Sequence, residues 1–393
     1  MPQSNRIKSY GLGSIKKRTI KSNGKEYSTW ETRITIGYDP VTGRQLQKSI
    51  SGKTQKEVRE RVKRLLLDLE NDTYIEPSKL TLGEWLDTWV NEYLKNVKVL
   101  TKENYLIQIN AHLKPALGGV RLDSVDTHTI QRFYNKLQSE KNLSAKTIKN
   151  IHGVLHQALN QAIENGYIRK NPSEACKLPK TAKKEICALE PSQMSQLLQE
   201  AQNDSYSSLF ITALFTGMRQ SELIGLTWDC VNLETGVITV KQQLQCNKGE
   251  YFMSTPKNRK SRVIIPAPLV IEAIRQEKAK QEAAQLLAGS LWDNPFNLVF
   301  TDESGKNLVR RTVVKHFKAI TSRSGIDDSF RFHDLRHSFA VASLQAGDDI
   351  KTIQANLGHA TAAFTLQVYA HVNNAMRQES AARMQKYYES VIL

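Results

Sequence analysis

Four short stretches carry residue types suited to work on a phosphodiester. In Thr216-Gly217-Met218-Arg219-Gln220-Ser221-Glu222-Leu223 a glycine bend precedes Arg219, and a helix resumes at Ser221. Arginine presents a planar fork that meets two phosphate oxygens at once, which lysine cannot do. Taken alone the signal is weak, because an Arg–Glu pair within a helix is usually a surface salt bridge. Pro256-Lys257-Asn258-Arg259-Lys260-Ser261-Arg262 precedes the apolar run Val263-Ile264-Ile265 and reads as a hairpin tip loaded with cations. A lysine held there reaches a leaving oxygen; a solvated basic turn is the other reading, and both stay open. In Arg331-Phe332-His333-Asp334-Leu335-Arg336-His337-Ser338, a helix would put His333 and Arg336 on one face. His333 and His337 would share a face too, but H-x-x-x-H here lacks the glutamate of H-E-x-x-H. No other cluster completes a zinc ligand set, so no metal is expected. A His–Arg pair suits a phosphodiester, one group moving a proton and the other neutralising charge. Finally, Leu357-Gly358-His359 is followed by Tyr369-Ala370-His371. A phenol with a pKa of about 10 becomes a nucleophile only beside cations and a general base. Without them, Tyr369 is one more core or surface aromatic.

These stretches need a frame, and the hydrophobic periodicity supplies one. Trp30, Thr32, Ile34 and Ile36 alternate with Thr29, Glu31, Arg33 and Thr35, the period of a half-buried strand. A turn at Asp39-Pro40-Val41-Thr42-Gly43 leads to a second strand through Leu46 and Ile50, and 13–20 offers a third. Thr54 and Glu57 form a T-x-x-E capping box before Val58, Val62, Leu65, Leu66 and Leu69, one face of a helix. After a linker at 71–79, a second box, Thr81 and Glu84, opens a helix with Trp85, Leu86, Trp89, Val90 and Tyr93 inward. Three more helices follow, marked by Tyr105, Ile109 and Leu113; by Ile130, Phe133, Tyr134 and Leu137; and by Ile148, Ile151, Leu155, Leu159 and Ile163. The second of the four helices ends near Pro115, the last at Asn165-Gly166. The aromatic stripes read as core of a small bundle rather than as platforms for bases. A basic linker at 177–185 separates this bundle from a third, mostly helical unit with strands at 237–243 and 262–265.

Length and charge agree with a multidomain, mainly α chain with small β-sheets. The 393 residues allow two or three domains, and 40% hydrophobic content excludes a disordered protein. There is no apolar run of about 18 residues and no secretory h-region after the basic start, so no membrane partner is expected. Cys176, Cys187, Cys230 and Cys246 are widely spaced and read as reduced thiols of a cytoplasmic protein. The net charge of +16 favours a polyanion, and nucleic acid is the first candidate. Residues 1–64 hold 16 Lys+Arg against 5 Asp+Glu, a net of +11, so most of the excess sits in the first sixth of the chain. A small cationic sheet docked on DNA releases counterions, and its open face fits a major groove. Lys16, Lys17, Arg18, Arg33 and Lys48 are the candidate contacts there.

Together the four stretches resemble the tyrosine recombinase (phage integrase) family. Arg219, Lys257, His333, Arg336, His359 and Tyr369 stand in the family's order of Arg, Lys, His-x-x-Arg, His and Tyr. The resemblance covers about 188–380, and the upstream layout is similar to integrases of conjugative transposons and temperate phages. Lys260, three residues on, is the alternative to Lys257. The resemblance implies an arm-type DNA-binding domain at 1–75, a SAM-like core-binding bundle at 76–180 and a mixed α/β catalytic domain at 181–393 with a tail helix. It implies that Tyr369 attacks the phosphorus, leaving a 3′-phosphotyrosyl bond and a free 5′-hydroxyl. Arg219 and Arg336 would hold the non-bridging oxygens, His333 accept the tyrosyl proton, Lys257 protonate the leaving oxygen and His359 bond a phosphate oxygen. Glu222 would orient Arg219 or His333. No cofactor or metal is called for, because fixed cations carry the charge and the phosphotyrosine conserves bond energy. Partners implied are double-stranded DNA with core and arm sites, a homotetramer, an excision factor and a host DNA-bending protein, all in a bacterial cytoplasm. The apolar tail after Asn373, with Met376, Met384, Tyr387, Tyr388, Val391, Ile392 and Leu393, reads as docking on a neighbouring protomer or on its own domain. Two other classes fit less well. A type IB topoisomerase has little use for a separate arm module, and a binding protein that has lost catalysis would not keep the full residue set.

Overall fold

The computed structural model describes residues 14–22, 25–39, 42–71, 79–181, 188–256, 260–358 and 374–392. The chain divides into two units, Met1–Ala182 and Lys183–Leu393.

In the first unit, β1 (Lys16–Ser22), β2 (Lys25–Tyr38) and β3 (Gln45–Gly52) form an antiparallel sheet in that order. Strand periodicity sends Ile34 and Ile50 to one face, where Val58, Val62 and Leu65 of α1 (Gln55–Glu70) cover them. Thr54 caps α1 by accepting the Glu57 N–H at 3.2 Å. The box predicted there is displaced by one residue, since the Glu57 carboxylate accepts from the Lys53 N–H at 2.9 Å. The second box is complete: Thr81 and Glu84 open α2 (Leu82–Glu92) and bond each other's backbone N–H.

The bundle contains α2, α3 (Val99–Gln108), α4 (Lys114–Leu117), α5 (Thr127–Ser139) and α6 (Ala145–Glu164). The single helix expected around Ile109 is interrupted. Pro115 has no N–H, and its ring crowds the carbonyl four residues earlier. The backbone widens into a π-helical turn over Ile109–Leu113, and the Lys114 N–H reaches back to the Ile109 carbonyl. Trp85 is fully buried and its indole N–H bonds the Ala158 carbonyl at 2.8 Å, so this aromatic belongs to the core. The bundle core and the sheet–helix core are separate clusters.

The second unit packs α7 (Pro191–Gln202), α8 (Ser207–Thr216), α9 (Gln220–Leu223), α10 (Pro268–Ala288) and α11 (Arg310–Arg323) around one large core. A smaller cluster joins α12 (Asp334–Gln345) to α13 (Ile350–Leu357). Two small sheets complete the unit. One has the order β4 (Val231–Asn232), β5 (Val237–Val240), β8 (Arg262–Ile264); the other pairs β6 (Gln243–Asn247) with β7 (Glu250–Ser254). The strand expected at 237–243 is therefore two strands in two sheets. Nor do the strands on either side of the cationic stretch form the expected hairpin: β7 pairs with β6 and β8 with β5, while residues 257–259 lie outside the described residues. The tail forms α14 (Asn374–Ile392), with Met384, Tyr387, Tyr388 and Val391 exposed. Among the described residues no helix is long and apolar enough to cross a membrane.

Candidate active site

Among the described residues, Arg336 is the most deeply set of the predicted cations, at 2% exposure. It lies in the first turn of α12 and reaches two helix ends at once. Its NH1 donates to the Gly217 carbonyl at 2.6 Å and its NH2 to the Leu357 carbonyl at 2.5 Å. Gly217 closes α8 and Gly358 closes α13, each with positive φ, at 59° and 62°. A side chain would strain both turns. The negative ends of two helices thus face one guanidinium. Burial, followed by the Arg219 charge, pushes its pKa down to about 9, so it remains a cation at neutral pH.

Arg219 enters from the other side of the same Gly217 turn, as the residue before α9. Its backbone N–H donates to Glu222 Oε2 at 3.0 Å and its NH1 to Oε1 at 2.7 Å. The Arg219 side chain stays 22% exposed, whereas Glu222 is fully buried. The second partner of Glu222 is a residue sequence reasoning passed over. Arg262, expected only as the last cation before a strand, donates NH1 to Oε1 at 3.1 Å and NH2 to Oε2 at 2.7 Å. Burial alone would raise the Glu222 pKa. The Arg262 bonds and charge, with the Arg219 N–H and guanidinium, reverse this and hold it at about 2. Of the two roles open to Glu222, orienting Arg219 is the one these bonds support. Arg262 could have been suspected from its place at the start of an apolar strand, but no local pattern names its partner.

His333 does not sit within α12; it is the residue before its first turn. It still lies beside Arg336, whose N–H bonds the His333 carbonyl at 3.2 Å. His333 is exposed as a residue. Desolvation by the surrounding protein, then the Arg336 charge, hold its pKa below the ordinary value, which favours neutral imidazole. His337 stacks edge-on against it, ring centroids 5.3 Å apart. Burial and the His333 ring push His337 down to about 4. Asp334 is engaged by the Arg331 backbone and guanidinium at 2.7–3.0 Å. Among the described residues no three His, Cys, Asp or Glu side chains are grouped to hold a metal ion.

The structure therefore brings Arg219, Glu222, His333 and Arg336 together. Lys257, His359 and Tyr369 lie outside the described residues; Lys260 is described and exposed. On the N-terminal sheet the five candidate cations part. Arg33 pairs across from Ser49, on the open face with Lys16 and Arg18. Lys17 pairs with Trp30 and Lys48 with Ile34, which places both on the side that α1 covers. The reason is the two-residue period of a strand.

A helical bundle ahead of a helical unit with small sheets, and a pair of arginines beside a histidine, agree with the class that the family models give: a DNA-breaking-and-rejoining enzyme of the tyrosine recombinase type. The chain belongs to the phage integrase family. The family model described as "Phage integrase family" matches residues 188–376. The one described as "Phage integrase, N-terminal SAM-like domain" matches residues 81–138. A tyrosine recombinase XerC-like protein of Caldanaerobacter subterraneus subsp. tengcongensis is 29% identical, over 91% of this chain and 95% of that one. The ICEBs1 integrase of Bacillus subtilis is 23% identical, over 91% and 97%. Among solved structures, the Tn1549 transposon integrase in complex with transposon right-end DNA superposes with a TM-score of 0.66 at 25% identity, over 78% of this chain and 99% of that one.

Proposed function

We propose that this recombinase integrates and excises a mobile element by site-specific strand exchange through a 3′-phosphotyrosyl intermediate. The observation that carries the reading is the convergence of Arg219 and Arg336 at one glycine turn beside His333. Such a site is positively charged, rigid, and supplied with a proton acceptor. Tyr369 is the nucleophile. Its phenolic oxygen bonds to phosphorus as the bond to the 5′-oxygen breaks; the phenolic proton passes to His333, and Lys257 gives a proton to the departing oxygen. Arg219 and Arg336 neutralise the non-bridging oxygens, whose charge grows in the pentacoordinate transition state. Their geometry is held by Glu222 and by carbonyls, so little reorganisation accompanies the reaction. His359 donates to a phosphate oxygen. One phosphoester replaces another, so no nucleotide is consumed, and a 5′-hydroxyl of a second duplex reverses the step.

In the same reading, residues 1–75 bind arm sites, 76–180 grip core DNA and 181–393 cut. Lys16, Arg18 and Arg33 present the open face of the sheet to DNA. Lys17 and Lys48 occupy the covered face and contribute only from the edges of the sheet. Four protomers assemble on two duplexes, assisted by an excision factor and a host DNA-bending protein, in a bacterial cytoplasm. The exposed apolar residues of α14 dock on a neighbouring protomer.

The test uses nicked duplexes taken from the junctions that flank the protein's own gene. Wild type should form a protein–DNA adduct that survives denaturing electrophoresis, and Tyr369→Phe should form none. An adduct that persists in Tyr369→Phe would place the nucleophile elsewhere, and plasmid relaxation without recombinants would point to a topoisomerase.

A further inference from the structure

Arg262 joins two separate parts of the site, the Glu222 carboxylate and the last turn of α13. Its side chain is 9% exposed. The guanidinium makes three hydrogen bonds, to three acceptors. Two go to the Glu222 carboxylate, NH1 to Oε1 at 3.1 Å and NH2 to Oε2 at 2.7 Å. The third runs from Nε to the Asn356 carbonyl at 2.7 Å, in the last turn of α13. The Arg219 N–H and NH1 meet the same two carboxylate oxygens from the other side. Each oxygen of Glu222 therefore accepts one bond from each arginine, and the carboxylate has no freedom to turn without breaking two of them. Two residues past Asn356, the Gly358 backbone lies against the Arg262 stem. A Cβ on Gly358 would stand 2.9 Å from Arg262 Cδ, so the turn is also packed onto this side chain. His359 follows Gly358 directly, and Lys257 and Lys260 precede Arg262 by five and two residues.

We propose that Arg262 is a positioning residue for DNA cleavage: it aims Arg219 through Glu222 and, with its third bond, ties the segment leading to His359 to the strand that follows Lys257. The inference rests on the recombinase reading above. Its physical content is that one rigid fork fits three acceptors that belong to two distant parts of the chain. A lysine at this position keeps the charge opposite Glu222 but has a single ammonium on a flexible stem, and cannot hold a planar pair of bonds to a carboxylate while bonding a carbonyl off to one side. Arg219 would then share a carboxylate free to rotate, and its own fork would leave the phosphate position. A shift of about 1 Å in a group that stabilises the transition state costs roughly 100-fold in rate.

The test compares full-length wild type, Arg262→Lys, Arg262→Gln, Glu222→Gln and the double variant Arg262→Gln/Glu222→Gln on the nicked duplex. Three quantities are read: the first-order rate of adduct formation at saturating DNA, the Kd for uncleaved duplex, and the melting temperature. Positioning predicts that Arg262→Lys loses about 100-fold in rate while its Kd stays at the wild-type value. It also predicts that the double variant is no slower than the slower single, because both act along one line to Arg219. Arg262→Lys decides the matter even where the glutamine variants fold poorly, since it keeps a cation beside Glu222. Cleavage by Arg262→Lys at the wild-type rate would overturn the proposal, as would rate losses in the two singles that multiply in the double. Absence of any adduct with wild type is a different failure: it removes the recombinase mechanism itself, and this inference with it.

Discussion

Glu222→Gln isolates the charge at the centre of the site. The glutamine has nearly the same shape, but it replaces one acceptor oxygen by an amide whose N–H groups face the N–H groups of Arg219 and Arg262. The Glu222 pKa of about 2 against an ordinary 4.5 corresponds to about 3 kcal/mol of folding free energy at neutral pH. The side chain is fully buried, so solvent screening does not reduce the figure. Removing one partner of a buried ion pair independently suggests about 3–5 kcal/mol. The folded-state pKa lies below the unfolded one. The stabilisation is therefore complete above about pH 4.5 and is lost as pH falls toward 2. For a unit the size of Lys183–Leu393, 3 kcal/mol lowers the melting temperature by roughly 6–12 °C. Calorimetry of the full chain at pH 7 and at pH 3 measures this: the gap between wild type and Glu222→Gln should be large at pH 7 and smaller at pH 3. A shift under about 2 °C at pH 7, or a gap that does not depend on pH, would show that the two arginines do not need this carboxylate.

Three further outcomes follow from the same geometry. Gly217→Ala places a Cβ 2.5 Å from the Leu357 side chain and 2.7 Å from the Phe339 ring, at a φ of 59°. The backbone alone costs about 1–2 kcal/mol, and the Gly217 carbonyl that holds Arg336 must move, so melting temperature and adduct yield should drop together; normal values for both would refute the cradle. Cleavage needs His333 neutral, and its pKa is held below the ordinary value. The adduct rate should be flat at neutral pH and fall only below the usual histidine range, and a rate that rises on acidification would exclude His333 as the acceptor. His337, folded near 4 against an ordinary 6.5, acts on stability over the same window. The unfolded chain binds a proton that the folded chain refuses, so stability declines from pH 6.5 toward 4, by at most about 3 kcal/mol from this residue. His337→Gln should flatten that decline in calorimetry.

Much of this protein was legible from the chain alone, and the reason is distance along it. Thr54 and Thr81 cap helices three residues from their partners. The faces of α1 and α6 follow the helical repeat, and β2 alternates with the period of a strand. Such interactions are local, so residue order specifies them. The order Arg219, His333, Arg336 also marked the site, through its resemblance to the family's order of residues. Three features came from tertiary structure. Register decided that Lys17 and Lys48 turn toward α1 while Arg33 does not, because a strand's partner determines which face is covered. Sheet pairing decided that β7 and β8 belong to different sheets, although a cationic turn between two strands reads as a hairpin. Packing brought the Gly217 carbonyl to Arg336 across 119 residues and Glu222 to Arg262 across 40. Contacts at that separation form because burial of the surrounding core brings distant segments together, and the core, unlike a cap or a strand period, has no signature within a short window of sequence.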